Sequence, residues 1–434
     1  VTIQGVDVEG FAGGFTEGAR QAGVEVVAKR ELPGGFGAPS VLRNFPGIDY
    51  EESDHREWTA KDVPFVFGNP PCSGFSVLSS IAFRGAGSPI NSCMWALVEY
   101  AAKCNPDIVA FESVQLAFTT GRSLMQALRD DMERRTGEQY DLHHVLHNGY
   151  ALGGPANRRR YFFVLSRIPF GLEPPEITAV PVLWDVIGDL ATVSTDDAQA
   201  HLVHTPPSWW HVQEGIRRED GLVDGHIALT RTPNMLRVRA LLDGVEWHEG
   251  MNLYDVAKAY HAVHGRLPGN VDEEMAYRWL NKSSEFAINK TKRWRADRAG
   301  RVITGSSVEM ALHPMLPRCL SLRECYRLQG FPDSWQMDFV DDYKNRNFYK
   351  WPGKGIPVQA GRWISGWVKQ AVNGNPGGWI GELIGEREWV TNSTADHQRV
   401  YHERTGARGA DARSATTRKL HGARVMQRRE VTVD

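Results

Sequence analysis

The run Val63-Pro64-Phe65-Val66-Phe67, followed by Gly68-Asn69-Pro70-Pro71-Cys72-Ser73-Gly74-Phe75-Ser76, constrains this chain more than any other stretch. A short, unbroken apolar run bounded by turn residues reads as a strand buried on both faces. That is the habit of a mostly parallel sheet covered by helices. Glycine, asparagine and two prolines stop the strand, so Cys72 rides on a loop at its carboxyl end. In open α/β sheets, ligands and reacting groups collect at that end. Cys72 is therefore a candidate nucleophile. The plainer alternative is a small buried hydrophobe, which is what a free cysteine most often is.

The rest of the chain supplies such a sheet. Residues 1–34 read as strand, glycine turn, helix and strand, with Glu9-Gly10-Phe11-Ala12-Gly13-Gly14-Phe15 as the turn. Glycines at 10, 13 and 14 let the backbone approach a bound nucleoside, and an acid ending the second strand can take its ribose hydroxyls. Glu31 stands at that place. Glycine turns of this kind also occur as plain turns. Helices are expected near 93–104, 122–135 and 358–372, and strands at 107–111, 141–147 and 161–164. The chain has 434 residues, room for two domains and a tail. Five cysteines show neither a metal spacing nor a disulfide framework, which suits a reducing, intracellular setting and predicts no metal. No apolar run reaches the length of a membrane span and no signal peptide is expected. The net charge of −2 requires any nucleic-acid surface to be local. Lys290, Lys292, Arg293, Trp294, Arg295, Arg298 and Arg301 form one such basic stretch. It suits phosphate contacts and base stacking, and equally a solvated helix face.

Taken in order, the motifs resemble those of the DNA (cytosine-5)-methyltransferases. Pro-Pro-Cys72-Ser-Gly-Phe-Ser is similar to the family's nucleophile motif. The turn before Phe15 resembles Asp-Leu-Phe-Ala-Gly-x-Gly-Gly-Phe, and Glu112-Ser113-Val114 resembles Glu-Asn-Val. Ala156, Arg158 and Arg160 fall on Gln-x-Arg-x-Arg. Arg318 to Pro332 reads like Arg-x-Leu-Thr-x-Arg-Glu-x-x-Arg-Leu-Gln-Gly-Phe-Pro, a bracing segment in the family. Gly353-Lys354-Gly355-Ile356-Pro357 resembles Gly-Asn-Ala-Val-Pro. Departures include Glu9 for an aromatic residue, Ser113 for Asn, Ala156 for Gln and Lys354 for Asn.

The resemblance implies a Rossmann-like class I methyltransferase fold, α/β, with a mostly parallel seven-stranded sheet and a smaller target-recognition domain. It divides the chain into a first catalytic part at 1–165, a recognition domain at 166–300, a returning catalytic part at 301–387 and a basic, disordered tail at 388–434. Cys72, Glu112, Arg158 and Arg160 become the catalytic set: Cys72 attacks cytosine C6, Glu112 holds N3 and the amine, Arg160 holds O2 and Arg158 orders the catalytic loop. Glu9, Gly10, Phe11, Ala12, Gly14, Glu31, Asp54, Pro71 and Lys354 become the donor site. Asp54, with Asp49 as a second choice, takes the carboxylate position at the adenine amine. The donor is S-adenosylmethionine or, because Lys354 puts a cation where the family has a neutral amide, carboxy-S-adenosylmethionine, whose extra carboxylate would answer that charge. The implied partner is double-stranded DNA with its base flipped out, bound by a monomer in the cytoplasm of a bacterial or phage-infected cell. Transfer to tRNA, and a catalytically dead DNA-binding relative, are the other readings.

Overall fold

In the computed structural model the described residues are 1–34, 37–75, 85–156, 158–173, 181–192, 210–212, 217–218, 221–222, 227–229, 253–265, 292–304, 311–314, 320–337 and 351–378. The tail from 388, Trp209, Lys290, Arg318 and Cys319 lie outside them.

Seven strands form one sheet: β1 (Ile3–Val8), β2 (Val24–Glu31), β3 (Asp49–Glu52), β4 (Phe65–Gly68), β5 (Ile108–Val114), β6 (Asp141–Asn148) and β7 (Arg159–Ser166). Their spatial order is β3-β2-β1-β4-β5-β7-β6. All neighbours are parallel except that β7 runs antiparallel to both β5 and β6. The sheet is thus the mostly parallel, seven-stranded one the resemblance implies. β4 is buried along its whole length, as its unbroken apolar run requires. A side chain at Gly68 would lie 2.1 Å from the Val8 carbonyl, so glycine is what lets the ends of β1 and β4 close together.

Helices cover both faces. α1 (Gly14–Gln21) packs on one; α2 (Ala38–Asn44) and α3 (Ser92–Cys104) follow, then α4 (Gln115–Thr119) and α5 (Arg122–Thr136). α6 (Leu183–Ile187) and α7 (Leu253–His264) lie in the region of looser pattern. The chain returns through α8 (Leu322–Leu328), α9 (Trp351–Lys354) and α10 (Val358–Val372). The expected helices at 93–104, 122–135 and 358–372 are present; α2 and α4 were not expected, being too short to show a helical period. α8 opens on a reciprocal cap, with Ser321 N donating to Glu324 Oε2 at 2.7 Å and Glu324 N to Ser321 Oγ at 3.1 Å. Arg323 is buried and donates from Nη2 to the Trp335 carbonyl at 2.7 Å, bracing the turn after the helix.

The returning part sits on the first through glycine. A side chain on Gly14 would come within 2.0 Å of the Ile356 carbonyl, and one on Gly18 within 2.5 Å of the Val358 carbonyl. α1 and α10 therefore meet backbone to backbone, with Phe15, Phe67, Phe162, Ile356 and Ile364 in one buried cluster. The residues before Pro357 are thereby set against the glycine turn that ends β1.

Candidate active site

Two groups of buried polar residues stand at the carboxyl edge of the sheet, where a parallel sheet gathers its chemistry. The first surrounds Glu112 on β5, which is 1% exposed. Asn69, just after β4, donates from Nδ2 to Glu112 Oε2 at 3.2 Å. Arg160 Nε lies 3.2 Å, and Arg158 Nε 4.0 Å, from Glu112 Oε1. Strand alternation explains the grouping: Glu112 pairs with Phe162 across β5–β7, so Glu112, Arg160 and Phe162 share the α10 side of the sheet. Cys72 is half-buried on the loop beside them, and its carbonyl accepts from Phe75 N at 3.0 Å.

These groups tune one another. Burial, reinforced by the Glu112 carboxylate, pushes the Cys72 thiol up; Arg160, Arg158 and a backbone hydrogen bond at Val114 pull the other way. Burial likewise raises Glu112 against the pull of Arg160, Arg158 and Asn69. Arg158 is brought down to about 9 by burial and by Arg160, with Glu112 and Cys72 opposing. The pocket thus favours a carboxyl that keeps its proton beside a protonated thiol, whose ionisation the two arginines ease without reversing the shift. Asn69 Oδ1 carries no hydrogen bond among the described residues, and Glu112 Oε1 meets Arg160 and Arg158 only as ion pairs without a well-directed hydrogen bond, which suits exchange of these contacts for a planar polar ligand.

The second group lies between the ends of β1 and β2. Lys29, fully buried, stands 3.2 Å from Asp7 Oδ2 and 2.5 Å from Glu31 Oε1. Glu9 Oε1 accepts from Leu32 N at 2.6 Å. Burial raises Glu31 to about 8, Lys29 opposing and Glu9 adding to the rise. Burial also raises Glu9, countered by its bond from Leu32 and by Lys29. Glu31 Oε2, buried at the end of β2, has no hydrogen-bond partner among the described residues. An orphaned buried acceptor at that place fits the ribose hydroxyls of a nucleoside-bearing donor.

The turn itself is strained. Glu9 (φ 56°) and Phe11 (φ 49°) both take the left-handed conformation, at a cost of roughly 1–3 kcal/mol each. In the family motif quoted above, the Phe11 position is a glycine. The room expected at the glycines is taken by protein: a side chain on Gly10 would meet Asp7 Oδ2 at 2.1 Å, and Gly14 faces Ile356. Ala12 is fully buried and Pro71 is half-buried just before Cys72.

Other expected residues are placed apart. Asp54 lies between β3 and β4, gripped by Arg56 through Nε at 2.8 Å and Nη2 at 2.5 Å, which holds its carboxyl well below the usual range. Asp49 opens β3 at its other end and pairs with Arg30 and Lys61 at 2.8 Å each. Ser113 has the opposite facing from Glu112, level with Tyr161 and towards α3 and α5. Its departure from asparagine thus falls on the sheet face away from Glu112. Ala156 is buried and bridges to Gly300. Lys354 ends α9, half-buried, with the carbonyls on either side of it bonded by Arg158. In the basic stretch, Arg295 pairs with Asp297 at 2.9 Å.

Three residues of these groups escaped the sequence. Asn69 stood inside the quoted motif, read only as a strand breaker. Lys29 was hidden by its place in a strand, since its partner Asp7 is visible only once β1 and β2 are paired. His147 faces Arg160 across β6–β7 and stacks on Phe162 at 4.6 Å. Burial, Arg160 and Arg158 bring it down to about 3, a neutral imidazole beside two guanidiniums.

Residues 4–369 match the family described as C-5 cytosine-specific DNA methylase. Among curated proteins the chain is similar to Type II methyltransferase M.XorII of Xanthomonas oryzae pv. oryzae, 24% identical over 391 residues and covering 86% of each chain. It is also similar to Type II methyltransferase M1.HphI of Haemophilus parahaemolyticus, 22% identical and covering 77% of this chain and 78% of that one. A solved structure of a candidate DNA modification methyltransferase encoded within an E. coli prophage shares the fold. Its TM-score is 0.54 at 16% identity, over 86% of this chain and 99% of that one. No helix among the described residues is long and apolar enough to cross a membrane.

Proposed function

This chain belongs to the C-5 cytosine-specific DNA methylase family, and from that premise we propose that it alkylates C5 of a flipped cytosine in double-stranded DNA through a covalent Cys72 adduct. The observation that carries the reading is the cluster of Glu112, Arg160, Arg158 and Asn69 at the carboxyl edge, beside Cys72. Cytosine C5 is a poor nucleophile. Cys72 as thiolate forms a bond to C6, and the ring electrons move to C5. Glu112, raised by burial, gives its proton towards N3 and accepts from the exocyclic amine, offsetting charge on the ring. Arg160 holds O2. When bound, the donor supplies an electrophilic carbon on its sulfonium, which C5 takes up as the sulfur leaves as a thioether. N3 then gives its proton back to Glu112, a base removes the C5 proton, the Cys72–C6 bond breaks, and the thiolate returns.

Glu31 and the turn from Glu9 to Gly14 would hold the donor's nucleoside, with Pro71 and Lys354 nearer the reacting carbon. The position of Lys354, two residues before the Ile356 carbonyl that abuts Gly14, supports a donor with a negative group there. Carboxy-S-adenosylmethionine has one, and its product is 5-carboxymethylcytosine. A second reading is ordinary methylation from S-adenosylmethionine. The match of residues 4–369 to a family described as C-5 cytosine-specific DNA methylase favours that reading. Residues 166–300 are read as the recognition domain and 1–165 with 301–387 as the catalytic one. A covalent trap tests the core of the proposal. Duplex DNA carrying 5-fluorocytosine should crosslink to the wild type with donor present and not to Cys72→Ala; an uncrosslinked wild type defeats it.

A further inference from the structure

The resemblance gives Arg158 to the loop after Cys72, but its bonds run elsewhere. Nη1 donates to the Ile303 carbonyl at 2.9 Å and to the Gly353 carbonyl at 3.3 Å, and Nη2 donates to the Gly355 carbonyl at 2.9 Å. The two carbonyls of the returning segment flank Lys354. Gln329 Nε2 donates to the neighbouring Pro352 carbonyl and, at 3.5 Å, to Gly355. One residue further on, the Ile356 carbonyl fills the space over Gly14. Arg158 is 2% exposed, so its planar fork has no solvent to turn to and is committed to these oxygens.

We propose that Arg158 is a positioning residue for the donor side of the site: by bonding the carbonyls on both sides of Lys354, it sets that segment against the glycine turn. On the base side Arg160 is the closer of the two, its Nε 3.2 Å from Glu112 Oε1 against 4.0 Å for Arg158, whose Nη groups bond the carbonyls. This rests on the reading that the donor lies between the turn at 9–14 and the segment at 353–357. Lysine at 158 would keep the charge but cannot bridge carbonyls on two segments as a fork does.

Two assays separate the sides. The donor side is read as the Kd of S-adenosylhomocysteine by calorimetry. The base side is read, without any donor, as exchange of the cytosine C5 hydrogen with solvent, which needs Cys72 addition to C6 and nothing from the sulfonium. Arg158→Lys, which keeps a cation near Cys72 and Glu112, is expected to weaken S-adenosylhomocysteine at least tenfold and to slow exchange by a clearly smaller factor. Arg160→Lys is expected to do the reverse. Equal losses in both assays for Arg158→Lys would mean a merely structural role and overturn the proposal, as would lost exchange with donor affinity intact, or no effect on either. If the lysine variant does not fold, Arg158→Gln, whose amide still offers N–H groups to the carbonyls, is held to the same two criteria. A wild type that binds S-adenosylhomocysteine but exchanges no hydrogen refutes the Cys72 chemistry, while the Arg158 test still stands on donor affinity. A wild type that binds none overturns both.

Discussion

Gly18→Ala decides how closely the returning part is packed on the first. Within a helix the change should help, since alanine is favoured over glycine by about 0.8–1 kcal/mol. Here the new Cβ would stand 2.5 Å from the Val358 carbonyl and from Arg362 N, and 2.7 Å from Gly361 C. These are backbone atoms of α10, so no rotamer relieves the clash. α1 and α10 must part by about half an ångström or more, and overpacking of this kind costs roughly 1–3 kcal/mol. The clash therefore outweighs the propensity, for a net loss of about 1 kcal/mol and at most about 2 kcal/mol. At about 2–4 °C per kcal/mol, the melting temperature falls by a few degrees. Because Val358 follows Pro357, the displacement also reaches the segment at 353–357, and S-adenosylhomocysteine should bind more weakly. Thermal melts and calorimetry on the same preparations measure both effects. A variant that melts at or above the wild type would mean that helix propensity won, and that the helices do not meet at this distance.

Further expectations follow from the two buried groups. The Cys72 thiol is pushed up, so the rate of crosslinking to 5-fluorocytosine DNA should climb with pH from about 6 to about 9, and a flat profile would contradict the protonated resting state. Glu31 is raised from 4.5 to about 8, so its proton stabilises the native chain below about pH 4.5 and that contribution is lost as pH rises through 8. Ribose hydroxyls prefer the ionised carboxylate, so S-adenosylhomocysteine binding at neutral pH should release protons, seen as a buffer-dependent binding enthalpy; Glu31→Gln should remove it, and unchanged release would clear Glu31 of the role. Lys29→Met strands Asp7 and Glu31 without their cation and should cost about 3–5 kcal/mol, while Arg295→Met at an exposed pair should cost at most about 1 kcal/mol. Equal melting temperatures for the two variants would argue against a buried Lys29.

The catalytic sheet was legible because its strands announce themselves. β4 and β5 are apolar runs ending at Gly68 and Glu112, and buried parallel strands need nothing else. Cys72 and Glu112 could be named because each sits where such a run stops. What crosses between strands was not legible. Lys29 reads as a polar strand end until β2 is laid beside β1, and His147 reads as one of three histidines until β6 is paired with β7. The bonds of Arg158 reach residues 145 to 197 positions away, a distance over which no local pattern carries information. Asp49 opens β3 and Asp54 follows it, and only the Arg30 and Arg56 pairings show what each carboxylate does.

The central claim is that this chain transfers a carbon from a sulfonium donor to cytosine C5, with Lys354 choosing the donor. Nucleoside mass spectrometry of cytosine-containing duplex, incubated with S-adenosylmethionine and carboxy-S-adenosylmethionine together, tests it most directly. The account predicts 5-carboxymethylcytosine as the main product and a shift towards 5-methylcytosine in Lys354→Asn. Methylcytosine alone from the wild type would contradict the role of Lys354, and no modified cytosine from either donor would contradict the transferase itself.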